Sequence, residues 1–532
     1  MERMKTLRYQ ISPTPDAAHT GGTPVPHTRS HAIRLQIAIV ALCATARFTS
    51  AADWPQFGRD DSRNMIAPNE SGLIETADPA TMTNVRWIAP LGDQSYGNAV
   101  VAGGRVFLGT SNSAPRDPKY AGDYGILLCL DQKTGHFDWQ LAVPKLRAGK
   151  VSDWDGVGLC SSPTVDGDRV YVVTNRCEVV CLSTTGLTGK NQGPFTDEAQ
   201  YTAGPGKPPI PQGPTDADII WRYDMRDELG VFPHNMTSSS VLVLGDKLFV
   251  TTSNAVDWTG KHMPVPNAPT LICLDKNTGK LLARERSGIS SRTFYSNWSS
   301  PAAGIVNGKP IVVFGGGDGF CYGFDPNPGE VGPDGIATIT ERWRCNCNPP
   351  DHLSKNGQPI PYGQPNGPSE VIATPVILDG KVYAAVGQEP ENGDGAGCLS
   401  CIDATKTGDI SQTGIIWRTE KIGRSLSSPA ILDGLLYIPE FSGVIHCLDA
   451  TNGTEIWTHD TEAHVWGSAI VADGKVYAGD ENGMLTILAA GRTKKVLASI
   501  DLKDPIDSSP IAANGVVYVG TLTHLYALQK GK

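Results

Sequence analysis

The stretch Ser428-Pro-Ala-Ile-Leu-Asp433-Gly434-Leu-Leu-Tyr-Ile-Pro-Glu-Phe-Ser-Gly-Val-Ile-His-Cys447-Leu-Asp449-Ala-Thr-Asn452-Gly453-Thr-Glu-Ile-Trp457 decides the fold. Two apolar strands flank Asp433-Gly434, a dipeptide that tolerates positive φ and so favours the primed turns of a β-hairpin. A third strand ends at Cys447-Leu448-Asp449, an Asn-Gly turn follows, and a fourth strand carries Trp457. Serine and proline at the start cost no ladder bond, which suits a crowded innermost strand.

Working outward, the same order recurs. Comparable turns are Gly103-Gly104, Asp166-Gly167, Gly245-Asp246, Asn307-Gly308, Asp379-Gly380, Asp473-Gly474 and Asn514-Gly515. Each follows a small-residue lead-in: Asn98-Ala99, Ser162-Pro163, Ser239-Ser240, Ser300-Pro301, Thr374-Pro375, Ser468-Ala469 and Ser509-Pro510. Fourth strands carry Trp139, Trp221, Trp343 and Trp417. Four antiparallel strands, copied many times, predict an all-β chain with β-propeller architecture. An orphan fourth strand, Val85-Arg86-Trp87-Ile88, precedes the first unit, and the last unit stops after its third strand at Leu525-Tyr526-Ala527-Leu528. Joining those halves leaves no open edge and predicts an eight-bladed ring closed by the N-terminal outer strand. Blades four and seven fit least well: the first lacks a Thr-Gly turn, and the second has Val496-Leu497 in place of tryptophan.

Residues 35–46 form one apolar run behind Arg29 and Arg34, with Thr49-Ser50-Ala51-Ala52 after it. This pattern predicts an export leader over residues 1–52, cleaved near Ala52, and one propeller domain over 53–532. The run is too short to span a bilayer, so no transmembrane segment is expected in the mature chain, which is placed in the periplasm or at the cell surface of a bacterium. The whole chain carries a net charge of −10, and removing 1–52 leaves 39 basic against 53 acidic groups, a charge of −14. Nucleic acid is excluded as a partner, because phosphate contacts need clustered lysine and arginine.

Cys129, Cys181, Cys273, Cys401 and Cys447 share one slot, two residues before the Asp or Ser that opens a turn, and a shared slot means a shared packing role. Cys345 and Cys347, on one face of a strand end, are the expected disulfide partners, with Cys160, Cys177 or Cys321 as alternatives. Cys398 and Cys401 have CxxC spacing, but no histidine follows, so no c-type haem site is expected.

Long segments fall on one face: 111–124, 144–159, 226–237, 252–269, 286–298, 346–370 and 387–397. The opposite face has short turns except for the Gly/Pro-rich excursion 186–216. Loop length concentrated on one face locates the binding surface there. The candidate ligand-binding residues at the channel rim are Trp154, Asp155, His234, Asn235, Asn254, Asp257, Trp258, Arg292, Tyr295, Asn297, Trp298, Arg424, His464 and Trp466. Aromatics, amides and both charge signs suit a sugar, peptide or small organic ligand better than a metal cage. No catalytic residue is assigned, no metal is expected, and Asn254 is the one weak candidate ligand for an ion.

The units Cys129-Leu-Asp-Gln-Lys-Thr-Gly-His-Phe-Asp-Trp139 and Cys447-Leu-Asp-Ala-Thr-Asn-Gly-Thr-Glu-Ile-Trp457 resemble the tryptophan-docking repeat of the pyrroloquinoline quinone (PQQ) propeller superfamily, the quinoprotein alcohol dehydrogenase-like proteins. Glu228-Leu-Gly-Val-Phe-Pro-His-Asn235 followed by Thr252-Ser-Asn-Ala-Val-Asp-Trp258 resembles exported bacterial members of undefined activity. The superfamily includes quinoprotein dehydrogenases and cofactor-free scaffolds, so the resemblance implies the fold more firmly than the chemistry. Against the dehydrogenase pattern, Asn254 with Trp258 matches a calcium-binding Asn and its Pro-Trp. Arg292-Thr-Phe-Tyr-Ser-Asn-Trp298 lacks the carboxylate base, which neither Ser296 nor Asn297 replaces. Glu178 is the nearest match to the calcium-binding Glu, and no Cys-Cys pair exists. The expected function is therefore a non-catalytic exported scaffold that binds a protein, saccharide or small molecule on its long-loop face, with no cofactor. The alternatives are a PQQ- and calcium-dependent alcohol or sugar dehydrogenase with an unrecognised base, and a polysaccharide-acting enzyme using Asp153, Asp155 or Asp257.

Overall fold

Strand pairing follows the repeat. In the computed structural model, which describes residues 52–147 and 152–532, Ala430–Leu432, Leu435–Pro439, Val444–Asp449 and Glu455–Asp460 pair in chain order as an antiparallel sheet. Asp433 and Gly434 have φ of 52° and 77°, the type I′ geometry whose twist matches the strands it joins. The same four-stranded meander recurs over residues 100–144, 164–224, 242–285, 302–346, 376–419 and 470–501. One turn shifts by a residue: Asp166 pairs with Arg169, so the turn is Gly167-Asp168 rather than Asp166-Gly167. Among the described residues the α-helices are short, Glu198–Ala203, Met225–Leu229 and Pro350–Leu353, and the protein is all-β. No helix among them is long and apolar enough to cross a membrane. The expected leader lies outside the described residues except for Ala52.

Tryptophan and glycine explain the period. Trp139, Trp221, Trp417 and Trp457 sit directly across the strand pair from Cys129, Cys181, Cys401 and Cys447, where a small side chain leaves room for the indole. Each indole Nε1 then donates to a backbone carbonyl in the following sheet: Trp139 to Thr184 (3.1 Å), Trp221 to Lys276 (3.1 Å), Trp417 to Ala450 (3.2 Å) and Trp457 to Gly491 (2.9 Å). Trp343 departs from this pattern. It packs against Gly323 of its own sheet, and its buried Nε1 has no partner. Its sheet has the longest strands, Phe320–Val331 and Ala337–Asn346, and the latter pairs in parallel with Leu281–Glu285 of the preceding unit.

The two ends of the repeat meet. Val85–Pro90 pairs antiparallel with His524–Leu528 and completes the sheet of Ile511–Ala513 and Val516–Gly520. Lead-in residues also hold hands between sheets: Ser240 N donates to Ser300 Oγ, Ser300 N to Thr374 Oγ1, Ser428 N to Ser468 Oγ, Ser468 N to Ser509 Oγ and Ser509 N to Asn98 Oδ1. These bonds satisfy backbone donors where the inner strands begin, and they explain the preference for Ser, Thr and Asn there.

An N-terminal strap, residues 54–70, touches the inner strand of one sheet after another. Trp54 exchanges both backbone bonds with Val101, Pro55 O accepts from Val165 N, Asp61 O from Ala303 N, Ser62 O from Ile377 N, and Met65 O from Val471 N. Asn64 makes a two-bond side-chain clasp on Ile431, and the Glu70 carboxylate accepts from Asn514 N and Gly515 N. Arg63 is fully buried, with its guanidinium donating to the carbonyls of Phe57, Val241 and Pro301 and to Gln56 Oε1. Burial pushes Arg63 down to about 10, and Asp61 and Asp60 oppose that fall, so it keeps its charge at neutral pH.

The expected disulfide is absent. All eleven cysteines among the described residues, Cys345 and Cys347 included, are buried free thiols. Cys345 lies in the strand Ala337–Asn346 and Cys347 just past its end, and the Cys347 thiol approaches the Cys345 carbonyl at 3.7 Å rather than the other sulfur. Burial pushes the thiols of Cys401 and Cys447 up to about 11 and that of Cys273 to about 12, which makes them inert packing groups.

Candidate functional site

Where the lead-in residues converge, they wall a cup of about 600 Å³. Asn98, Ser162, Ser240, Ser300, Thr374, Ser428, Ser468 and Ser509 all face it, and Phe57 of the strap lines it as well. Small hydroxyl side chains therefore coat the wall, a consequence of the crowding that excludes bulk from the innermost strands. Loop residues supply the larger groups: Tyr96, Trp154, Trp298 and Trp466.

Among the described residues the lining charge is of one sign. Asp93, Asp155, Glu389, Glu391 and Asp507 line the cup, and no Lys, Arg or His does so among the described residues. Asp507 Oδ1 is buried without a hydrogen-bond partner. Burial raises its carboxyl to about 7, reinforced by the charges of Glu481 and Asp504. Glu481 is occupied by the Trp466 indole and by His464 Nδ1 at 3.1 Å. Tyr96, whose hydroxyl donates to Gln94 Oε1 at 2.7 Å, is raised above the usual phenol range by burial and then by Asp507.

Of the residues singled out in the sequence, Trp154, Asp155, Asn235, Trp298 and Trp466 line the cup. The others stand behind or beside it. His234 is buried between the Val256 carbonyl (2.7 Å) and the Tyr295 hydroxyl (2.8 Å), and Tyr295 stacks on Tyr362 with ring centroids 6.1 Å apart. Asn254 and Asn297 are buried: Asn254 Oδ1 accepts from Phe232 N, and Asn297 bridges the Asn254 carbonyl and the Gly317 amide. Arg292 pairs with Asp318 and Tyr322. Arg424 clamps the 346–370 loop through Ser369 Oγ and the Gln364 carbonyl. Asp257 caps a turn through Thr259, Trp258 is 78% exposed, and His464 stacks on Phe441 at 4.4 Å.

Sequence reasoning missed Asp93, Tyr96, Glu389, Glu391 and Asp507. Asp507 stands two residues before the lead-in Ser509, a position that the repeat pattern could have flagged. Glu370, behind the cup, was missed as well. It is fully buried, with Oε1 accepting from Tyr295 N (3.1 Å) and Ser296 N (2.5 Å) and Oε2 from the Tyr362 hydroxyl (3.2 Å). Burial lifts its carboxyl to about 8 against those hydrogen bonds.

Calcium-held PQQ does not fit these residues. Asn254 Oδ1 already accepts the Phe232 amide. The Glu178 carboxylate, wholly buried, accepts from the Tyr201 hydroxyl at 2.7 Å and pairs with Arg222 at 2.8 Å. Neither residue lines the cup. A tricarboxylate would also meet a wall of its own charge sign, which costs affinity unless a cation intervenes.

The family profile described as outer membrane protein assembly factor BamB matches residues 84–192, 360–459 and 441–530. The chain is similar to 1-butanol dehydrogenase (cytochrome c) of Thauera butanivorans, 27% identical over 165 residues, covering 27% of this chain and 24% of that protein. It is equally similar to outer membrane protein assembly factor BamB of Yersinia pestis, 27% identical over 130 residues, covering 21% of this chain and 33% of that protein. The chain thus spans a third or less of the length of these relatives. Among solved structures it is similar to BamB from Moraxella catarrhalis, with a TM-score of 0.48 and 14% identity over 84% of this chain and 94% of that one.

Proposed function

This chain belongs to the PQQ-repeat family described as outer membrane protein assembly factor BamB, and we propose that it is an exported, non-catalytic eight-bladed propeller whose long-loop face binds neutral or cationic groups of a protein or saccharide. The observation that carries this reading is the cup: carboxylates and tryptophans line it, with no basic side chain among its described residues. Indole faces stack on sugar rings and attract cations, and carboxylates add hydrogen bonds and charge. Support for the closed ring comes from the pairing of Val85–Pro90 with His524–Leu528 and from the Ser509-to-Asn98 bond. Export to a periplasmic or surface compartment rests on the apolar run at 35–46.

The competing dehydrogenase reading has relatives in its favour and the donor set against it. Of the acids proposed for a polysaccharide-acting enzyme, Asp153 is buried in an ion pair with Lys145 and Asp257 caps a turn, so neither joins Asp155 at the cup. The test is a tryptophan-fluorescence titration of residues 53–532 at pH 6, where amino sugars are protonated, with a cationic glucosamine hexamer and an anionic galacturonate hexamer. Saturable quenching by the first, weakened about tenfold in the Asp155→Asn/Glu391→Gln double variant, is the expected result. Tighter binding of the galacturonate would overturn the proposal.

A further inference from the structure

Away from the cup, Asp351, His352 and Glu420 bring one ligand atom each to within 4.8 Å of one another. Asp351 and His352 belong to the short helix Pro350–Leu353 inside the 346–370 loop, and Glu420 follows the strand Ile415–Thr419 of the next sheet. His352 is only 7% exposed, yet its Nδ1 is buried with no hydrogen-bond partner. A buried ring nitrogen without a partner is costly, and the same imidazole brings one of its nitrogens to within 4.8 Å of both carboxylates.

We propose that Asp351, His352 and Glu420 form a binding site for a divalent transition-metal ion that fastens the 346–370 loop to the neighbouring sheet. One imidazole and two carboxylates are the ligand set of borderline ions such as Zn²⁺ and of Mn²⁺. Donor atoms around a tetrahedral ion with bonds of about 2.1 Å lie about 3.4 Å apart, so ligand atoms that stand within 4.8 Å of one another need close by at most about 1.4 Å. Both carboxylate residues are exposed, which gives the ion a route in and leaves at least one coordination position for water. His352 supplies the fixed point, held by burial, and the two acids close on it. The loop is already pinned at its far end by Arg424, through Ser369 and Gln364. Its near end is tied to the neighbouring sheet at Asn346, whose amide donates to Ser411 Oγ and whose carbonyl accepts from Arg418, and an ion at 351–352 would add a third tie between the two ends.

The test is calorimetric titration of chelator-stripped residues 53–532 with ZnCl₂ and, separately, MnCl₂. The expected result is saturable binding of one ion per chain, with a rise in melting temperature that EDTA reverses. Glu420→Gln and Asp351→Asn, both at exposed positions where folding is not at risk, should each weaken binding at least tenfold, as loss of a ligand exceeds the roughly 10–100-fold cost of losing an outer-shell partner. His352→Gln should abolish binding, with circular dichroism confirming that the variant folds. Absence of saturable binding by either ion, or binding unchanged in Glu420→Gln and Asp351→Asn, would overturn the proposal.

Discussion

The Trp417 indole lies on Gly453 of the next sheet, where an added Cβ would fall 2.5 Å from Trp417 Cε3. The same relation holds between Trp87 and Gly135, Trp139 and Gly186, and Trp221 and Gly279. One aromatic and one glycine, repeated, dock sheet on sheet.

Gly453→Ala is therefore expected to destabilise the protein twice over. Its φ is +72°, unfavourable for an L-residue, and the methyl group would displace the indole. Together these should cost about 2–4 kcal/mol, read from urea unfolding. A change below about 0.5 kcal/mol would mean that the indole is free to move aside.

Arg63→Met should release the N-terminal strap. The substitution removes the donor shared by the buried carbonyls of Val241 and Pro301 and the half-buried carbonyl of Phe57, and each buried polar group left unpaired costs about 1–3 kcal/mol. Limited proteolysis is expected to cut within residues 54–70 in the variant well before the wild type. Identical digestion patterns would show that the backbone contacts alone hold the strap.

The cup should respond to pH through Asp507. Its carboxyl, raised from 3.8 to about 7, holds a proton in the folded state that the unfolded chain has released. This contribution to stability is complete below about pH 4 and is lost as pH rises through 7. Binding runs the other way: a hexalysine peptide, whose ammonium groups titrate at about 10.4 and stay charged throughout, should bind more tightly at pH 8 than at pH 6, as the carboxylate forms. Asp507→Asn should flatten both trends, and an unaltered pH profile would place the charge elsewhere.

Glu370 gives a second, independent titration. Raised to about 8, it too is protonated in the folded chain at neutral pH and loses its stabilising effect as pH rises through 8. A glutamine keeps the oxygen that accepts from Tyr295 and Ser296. Glu370→Gln is expected to match the wild type at pH 6 and exceed its stability by about 2–3 kcal/mol at pH 9, measured by thermal melts. Destabilisation at both values would show that a carboxylate is needed.

How much of this was legible in the sequence follows from where each signal resides. Local signals carried well: Asp433-Gly434 adopts the turn its composition demands, and Trp457 and Cys447 occupy facing positions because both recur at fixed offsets. Asp166-Gly167 slipped by one because Asp-Gly and Gly-Asp both suit a primed turn, and only pairing with Arg169 decides between them. The strap was invisible, since its bonds, from Trp54 to Val101 nearby and from Met65 to Val471 at the far end of the chain, span very different separations and carry no period. At the cup, Trp154, Trp298 and Trp466 announced themselves as rare aromatics just ahead of inner strands. Polar rim residues did not sort themselves by sequence. Asn254 and Arg424 sit in rim loops just as Asn235 and Glu391 do, and only three-dimensional packing turned the first pair inward to hold loops and the second toward the cavity.

The most direct test of the account is a tryptophan-fluorescence titration of residues 53–532 with PQQ in the presence of calcium. Trp154, Trp298 and Trp466 line the cup and would report any quinone entering it. No saturable quenching is the result expected of an acidic cup that takes neutral or cationic groups. Saturable binding at micromolar concentration or below would contradict it and make the chain a quinoprotein.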